Sequence, residues 1–368
     1  MRDIKILGGG LSGLSAAINL AKAGYNVDVY EKRSDCGKRF GGDLEGLENW
    51  SSNIDVIEDI KSMNIKNNFG NNPYKSISIT NGKEILRGSL KVPFFYLVKR
   101  GSFEGSLDQG LKNQALDLGV NIHFNSKESI NDMNIIATGP SERRYAGLVK
   151  GVRFETSSDD VAVLLINPKT SIGGYSYFLI SNGNGCICSV NIFASGESVN
   201  RCFKNTYDSF TKLFDFEIKN KKEVGGFGSC LIHPRYIENG KIYVGEAAGY
   251  QDFLWGFGMR YAMKSGYLAA KSIIENKNYK KLIKKHISKT LRKSVVNRFY
   301  TEKAGEAAIR YGFKQARLKQ NEWIAFLKDM YNPSFASSII YPYAKRYLKK
   351  KIKNFQNEIN KSKVETIN

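Results

Sequence analysis

The chain opens on an apolar stretch, "DIKIL" (3–7), that reads as a buried strand. It breaks at "GGGLSG" and continues as "LSAAINLAKAG", a helical run of small and apolar residues closed by Gly24. "NVDVYE" (26–31) returns to strand, so the N-terminal segment predicts a β-α-β unit. Residues 54–64 carry helical spacing. "KSISIT" and "EILRGS" flank "NGK" (81–83), a hairpin signal. "LDQGLKNQALDLG" (107–119) is an amphipathic helix, followed by the strand "VNIHF" and the buried strand "MNIIATG" (133–139).

The pattern then changes. "VAVLLI", "YSYFLI" and "GCICSVNIF" are successive strands, with "SNGNG" (181–185) as a tight hairpin loop, and a helical run returns only near residue 198. "KIYVG" (241–245) is again a buried strand, leading through "WGFG" into a small-residue helix. Beyond residue 276 the chain reads as helical, broken at "NPS" (332–334). These shifts predict four parts. Residues 1–150 form an α/β unit with a hairpin excursion near 70–100 on the substrate side. Residues 151–240 are a β-rich insert, 241–275 close the first unit, and 276–368 are a helical C-terminal region.

Charge adds a second axis. Lys and Arg number 56 against 35 Asp and Glu, a formal net charge of +21. The excess is uneven, since "YKKLIKKHISKTLRK" (279–293) and "KRYLKKKIK" (345–353) contain no acidic residue. Such runs can be solvated faces, or they can meet an anionic membrane surface or a phosphorylated lipid. No nucleic-acid motif accompanies the charge, so no nucleic acid is expected. Five scattered cysteines without a CxxC pair, and three dispersed histidines, imply a reduced intracellular protein without a metal site. The first residues begin a strand at once, and no apolar run reaches the roughly 18 residues of a membrane span. The expected location is cytoplasmic, with peripheral contact to the cytoplasmic face of a membrane as the alternative.

The glycines carry the chemistry. Gly8, Gly10 and Gly13 stand in GxGxxG spacing after a strand and before a helix, with Leu11 and Ser12 between the last two. Gly8 allows the tight turn, Gly10 lets a pyrophosphate approach the backbone, and Gly13 lets helix and strand pack closely. The helix N-terminus favours the negative charge. Glu31, 18 residues after Gly13, can accept bonds from ribose hydroxyls. "GGFGSC" (225–230) lacks this spacing, so no second dinucleotide loop is expected.

Three segments in order, "GGGLSGLSAAINLAKAGYNVDVYEKR", "IIATGP" and "VGEAAGYQDFLWGFGMRYAMKSG", resemble the FAD motifs of glutathione-reductase-type flavoproteins. Within these the arrangement is most similar to the geranylgeranyl reductase family, related to aromatic hydroxylases. "GGYSYFLISNGNGCICSVNI" (173–192) resembles that family's substrate sheet, and "FYLVKRGSFEGSLDQGL" (95–111) its arginine-bearing approach to a helix. The resemblance spans roughly residues 3–275 and implies an α/β fold. That fold is a Rossmann-like FAD-binding domain, an inserted antiparallel sheet for substrate, and C-terminal helices. It implies FAD contacts from the first loop, from Glu31 and Lys32, from Arg39 and Arg100, and from Thr138 and Gly139. In the third motif Gly245 and Glu246 match, with Glu246 where the family has Asp. Gly256, Phe257, Gly258 and Met259 fall where backbone N–H groups meet the flavin edge. Two features depart from the family: "QDFLWGFG" replaces a proline-bearing segment, and Cys36 lies too early to match a reductase cysteine.

The resemblance implies an FAD-dependent oxidoreductase that reduces isoprenoid carbon–carbon double bonds by hydride transfer from reduced flavin. Electrons would come from NAD(P)H or a ferredoxin. Alternatives of the same architecture are a monooxygenase acting on an aromatic or apolar substrate and a flavin-dependent isoprenoid cyclase; a flavin-binding scaffold without catalysis is a further one. Tyr175, Tyr177 and Phe178 are expected along an apolar tunnel, with Trp255 beside the flavin. No catalytic residue is assigned; His233, in "CLIHPRY", is a candidate proton donor or a loop residue. Cys186 and Cys188 alternate on one strand face and are expected in the core.

Overall fold

The computed structural model describes residues 3–141, 145–229, 232 and 234–365. Strand β1 (Asp3–Leu7) buries Ile4 and Ile6. Helix α1 (Leu11–Lys22) follows, and β2 (Asn26–Tyr30) lies parallel to β1 with Ile6 opposite Val29. Around this pair forms a six-stranded sheet in the order β15-β16-β9-β1-β2-β8. Its other members are β8 (Asn121–His123), β9 (Ile135–Ile136), β15 (Ile237–Glu238) and β16 (Lys241–Tyr243). The chain leaves β1 toward β2 on one side and later adds β9 on the other. The glycine loop therefore sits where strand order reverses, at the carboxyl end of β1, the crevice in which such sheets bind ligands.

Helix α1 is buried from Leu11 to Leu20, which explains why its sequence shows no polar face. The sheet covers one side, and α5 (Met259–Ile274) crosses the other. The crossing is close: a Cβ on Gly266 of α5 would lie 2.1 Å from the Ser12 carbonyl oxygen of α1. Helices α2 (Val56–Ser62) and α3 (Leu107–Asp117) flank this layer. Arg260 of α5 is buried and bonds Asp59 of α2 through Nε at 2.8 Å, with Lys264 on the same carboxylate at 3.1 Å. Together these two cations hold the Asp59 carboxyl below its ordinary range against the cost of burial.

A three-stranded antiparallel sheet, β3 (Gly41–Glu48), β7 (Phe95–Gly101) and β4 (Asn71–Tyr74), links the first layer to the third. The third is a seven-stranded sheet in the order β14-β10-β13-β12-β11-β5-β6. It contains the hairpin β5 (Ser76–Thr80) and β6 (Ile85–Ser89), together with β10 (Gly147–Glu155), β11 (Val161–Leu165), β12 (Tyr175–Ser181), β13 (Asn184–Ile192) and β14 (Lys219–Gly228). The hairpin at 76–89 thus extends the sheet built from residues 147–228, with Ile79 of β5 opposite Leu164 of β11. Asn182 and Gly183 both have positive φ at the β12–β13 turn, which suits the twist of a two-residue hairpin. The sheet is apolar on both faces. Phe154, Phe178 and Ile187 point toward α4 (Gly196–Leu213) and pack with Phe210; alternate residues point toward the first layer.

The C-terminal helices close the third side. Helix α6 (Tyr279–Ile283) runs through one π turn (Lys284–Ser288) into α7 (Lys289–Ala304). Then come α8 (Glu306–Leu318), α9 (Trp323–Tyr331) and, after "NPS", the long α10 (Phe335–Glu365). Trp323 of α9 lies against β6 so tightly that a Cβ on Gly88 would sit 2.6 Å from its ring. Ala344 and Leu348 of α10 pack with Val295 and Val296 of α7. Among the described residues no helix is long and apolar enough to cross a membrane.

Gly266→Ala forces a methyl group into backbone that cannot retreat. It is expected to lower stability by about 1–3 kcal/mol, the usual range for overpacking, read as a fall in the urea midpoint with unchanged slope.

Candidate functional site

One cavity of ≈ 1470 Å³ runs between the two large sheets. The positions singled out above as cofactor or substrate residues line it, except Gly13, Gly245 and Phe178. The two glycines lie behind the wall. A Cβ on Gly13 would be 2.0 Å from the Gly8 oxygen, and one on Gly245 2.5 Å from Ser12 Oγ. Gly13 lets backbone approach backbone, and Gly245 makes room for the Ser12 side chain. Gly8 adopts φ +109°, and its own Cβ position is filled by the Ala137 carbonyl at 2.3 Å. Gly10 differs. It caps α1 with an ordinary negative φ, and no protein atom lies within 4 Å of where its Cβ would point. That open volume adjoins the first turn of α1, which has no side-chain cap and no acidic residue. An anion is the natural partner for those amides.

Glu31 is held in place from below. Its Oε2 accepts the Gly9 N–H and its Oε1 the Arg33 N–H, each at 2.9 Å. Arg39, in the segment between β2 and β3, reaches the far sheet: it donates to the Phe227 carbonyl, and Nη1 lies 3.7 Å from Glu246 Oε2. Glu246 also accepts the Ser229 N–H at 2.7 Å. Burial pushes its carboxyl up, while Arg39 pulls it down. Arg100, at the end of β7, is buried and already committed. It bonds Asp108 through Nε (2.9 Å) and Nη2 (3.1 Å) and Glu45 through Nη1 (3.0 Å). Among the described residues, the buried polar atoms Asp43 Oδ1, Trp50 Nε1 and Gln251 Oε1 on the cavity wall have no hydrogen-bond partner. Unsatisfied groups of this kind demand an explanation; a polar molecule such as a dinucleotide cofactor supplies one, and the residues present fit it.

The turn before α5 is organised by a residue the sequence reading passed over. Asp252 is buried, and its Oδ2 accepts the N–H groups of Trp255 and Gly256. Its Oδ1 accepts the Tyr331 hydroxyl at 2.8 Å, and its own N–H donates to the Phe257 carbonyl. Gly256 takes φ +82°, and Gln251 Nε2 closes the turn onto the Gly256 oxygen at 2.8 Å. Gly258 then caps α5 without a side-chain bond, so its first amides are open to the cavity. Burial pushes the Asp252 carboxyl up to about 6, against the opposing bonds from Trp255, Tyr331 and Gly256. The only local cue was an acidic side chain three residues ahead of the turn, since Tyr331 belongs to a distant helix.

The other end of the cavity is aromatic and aliphatic. Tyr175 meets Trp255 edge-on, ring centroids 5.6 Å apart, and Tyr177 at 6.1 Å. Phe178 is a correction: it lies on the opposite face of β12 and packs on Phe216 at 4.4 Å. Adjacent residues in a strand cannot share a face. Cys188 reaches the cavity wall, and Cys186 is buried beside it, with Sγ 3.7 Å from the Leu44 oxygen. Cys36 is buried under the first loop, and burial pushes its thiol up. His233 and Cys230 lie outside the described residues. The end wall comes from the C-terminal helices, including Trp323, Leu327 and Met330.

Residues 6–42 match the family described as an NAD(P)-binding Rossmann-like domain. No curated protein matches the chain in sequence. Among solved structures, a geranylgeranyl bacteriochlorophyll reductase-like protein from Thermoplasma acidophilum is similar at TM-score 0.64 and 16% identity, over 95% of this chain and 98% of that one. A flavin-dependent brominase is similar at TM-score 0.62 and 14% identity, over 95% and 99%. A p-nitrophenol 4-monooxygenase from Pseudomonas putida is similar at 0.57 and 12%, over 90% and 100%. The chain therefore has the α/β fold shared by FAD-dependent oxidoreductases, with a dinucleotide-binding segment at its N-terminus.

Two tests follow from this geometry. Gly10→Ala meets no protein atom and should change the stability of the cofactor-free protein by less than about 1 kcal/mol. It enters the ligand's volume, so bound flavin, read by visible absorbance, should fall about tenfold or more, equivalent to roughly 1.4 kcal/mol. Asp252 titrates higher in the folded chain (about 6) than the ordinary 3.8. The folded state therefore binds its proton more tightly, and this contribution to stability is full below about pH 4 and lost as pH rises through 6. Urea midpoints of the wild type should show that fall; Asp252→Asn should flatten it.

Proposed function

We propose that this chain is an FAD-dependent oxidoreductase that reduces carbon–carbon double bonds of an isoprenoid or other prenyl lipid. The observation that carries the reading is the size and grading of a single cavity. Ligand pockets commonly hold about 300–1,000 Å³; this one holds ≈ 1470 Å³. It is polar at the glycine loop and mainly aromatic and aliphatic around Tyr175, Tyr177, Trp255, Trp323, Leu327 and Met330, with Arg298 and Glu302 also on its wall, so a long apolar chain has room beside a dinucleotide. The similarity to a geranylgeranyl bacteriochlorophyll reductase-like protein supports the same direction.

Bound FAD would supply two-electron redox chemistry. The chain's own residues hold and shield it. The open amides of α1 receive the pyrophosphate, and Glu31, fixed by two backbone bonds, receives ribose hydroxyls. Thr138 and Gly139 close that arm, and Lys32 stands at its rim. Arg39 and Glu246 bridge the two halves of the wall. The uncapped amide end of α5, at Gly258 and Met259, would favour negative charge on a bound flavin. Trp50 and Phe257, ring centroids 5.4 Å apart, help keep water from the apolar end. Tyr175, Tyr177 and Trp255 border the substrate chain. NAD(P)H, or an acidic carrier such as ferredoxin, would deliver the electrons. A second reading, hydroxylation of an aromatic or apolar substrate, draws on the similar p-nitrophenol 4-monooxygenase and on the aromatic wall.

The test is product mass. Flavin-loaded protein, reduced without oxygen and given a prenyl lipid, should return a product heavier by two hydrogens per double bond. A product gaining oxygen, formed only in air, would replace this reading with the second; an isomer of unchanged mass would indicate cyclisation. Leu327→Trp, which fills the apolar end, should retain flavin yet lower kcat/KM on the longest substrates about tenfold or more, roughly 1.4 kcal/mol.

A further inference from the structure

Helix α10 has two apolar faces and only one of them is covered. Ala344, Leu348, Phe355 and Ile359 point inward, the first two against α7. On the opposite side Phe335, Ile339 and Tyr343 are 84%, 53% and 67% exposed. Their four-residue spacing places them in one line along the helix, about 12 Å from first to last. The same line continues as Arg346, Lys350 and Lys353, all exposed. From Phe335 to Asn357 the helix carries no acidic residue.

The neighbouring helix adds to the charge. Arg292 of α7 stacks on Tyr341 at 5.3 Å, and Lys303 on Tyr347 at 4.6 Å. The two helices therefore run side by side. The apolar ridge thus runs on along α10 into exposed cations, with no acidic residue on the helix between Phe335 and Asn357.

We propose that this outer face of α10 docks on an anionic lipid bilayer. A ridge of one aromatic, one aliphatic and one tyrosine side chain suits the boundary between headgroups and acyl chains, with lysines and arginines at the lipid phosphates. The ridge is convex and a single helix wide. A fluid lipid boundary closes around such a shape, whereas a folded partner needs a groove cut to match it. The uniform positive charge selects acidic over zwitterionic lipid. The proposal stands apart from the identity of the substrate, because docking is measured without turnover.

The experiment is co-sedimentation of the full, flavin-loaded chain with two kinds of vesicle: phosphatidylcholine alone, and phosphatidylcholine mixed with phosphatidylglycerol. Binding to the mixed vesicles and not to phosphatidylcholine alone is expected, with binding weakened by salt. The variant Phe335→Ser/Ile339→Ser/Tyr343→Ser should bind at least tenfold more weakly, and Arg346→Glu/Lys350→Glu likewise. All of these side chains are exposed, so flavin content and circular dichroism should match the wild type and separate lost docking from lost folding. No binding to mixed vesicles overturns the proposal. So does binding that survives both variants. So does a stable complex with an acidic carrier protein that the same variants abolish while vesicles are ignored.

Discussion

Backbone rests on backbone where α5 crosses α1, and the rest of the site depends on that contact. Gly266 admits the Ser12 carbonyl, Gly13 admits the Gly8 carbonyl, and Gly245 admits the Ser12 hydroxyl. No side chain fits at any of the three. The result is that two segments more than two hundred residues apart in sequence form one wall. The first brings the uncapped amides of α1, the second the uncapped amides of α5. Two helix N-termini then open on the same cavity. Glycine here acts by what it leaves out, and the electrostatic character of the wall follows from the packing.

Buried charges fix the remaining parts. Arg100 joins β7 to Asp108 at the start of α3 and to Glu45 on β3. Arg260 joins α5 to α2. Arg298 of α7 bonds the carbonyls of Gly173 and Phe253, and so locks a C-terminal helix to both the seven-stranded sheet and the turn before α5. Removing one member of such a pair strands the other, commonly at about 3–5 kcal/mol. These contacts cross from layer to layer, which is why a cavity so large can persist between two sheets without collapsing.

How much of this the sequence showed depends on how local each feature is. Gly8, Gly10, Gly13 and Glu31 lie within one β-α-β unit, so their spacing was enough to place them together at the end of β1. The turn at Gly256–Gly258 was visible for the same reason. Asp252 was not, because its meaning comes from Tyr331, 79 residues away. Phe178 was misplaced because "YSYF" sets two aromatics side by side, and only pairing to β11 and β13 says which one faces the cavity. Strand β3, "GGDLEGLE", combines glycines and acids that rarely mark a strand. Residues 276–368 read as a basic helical region, and nothing local in it showed that Trp323, Leu327 and Met330 line the cavity.

The bond between Tyr331 and Asp252 also orders events in time. Domains form as the chain emerges, N-terminal parts first. The glycine loop, β2 and Glu31 are among the first residues made, yet the turn before α5 lacks its hydroxyl partner until α9 has been synthesised. The glycine loop is therefore complete in sequence long before α5 packs on it and before the turn ahead of α5 has its tyrosine partner. Maturation of the site waits on its last contributor, a tyrosine made only after most of the chain exists.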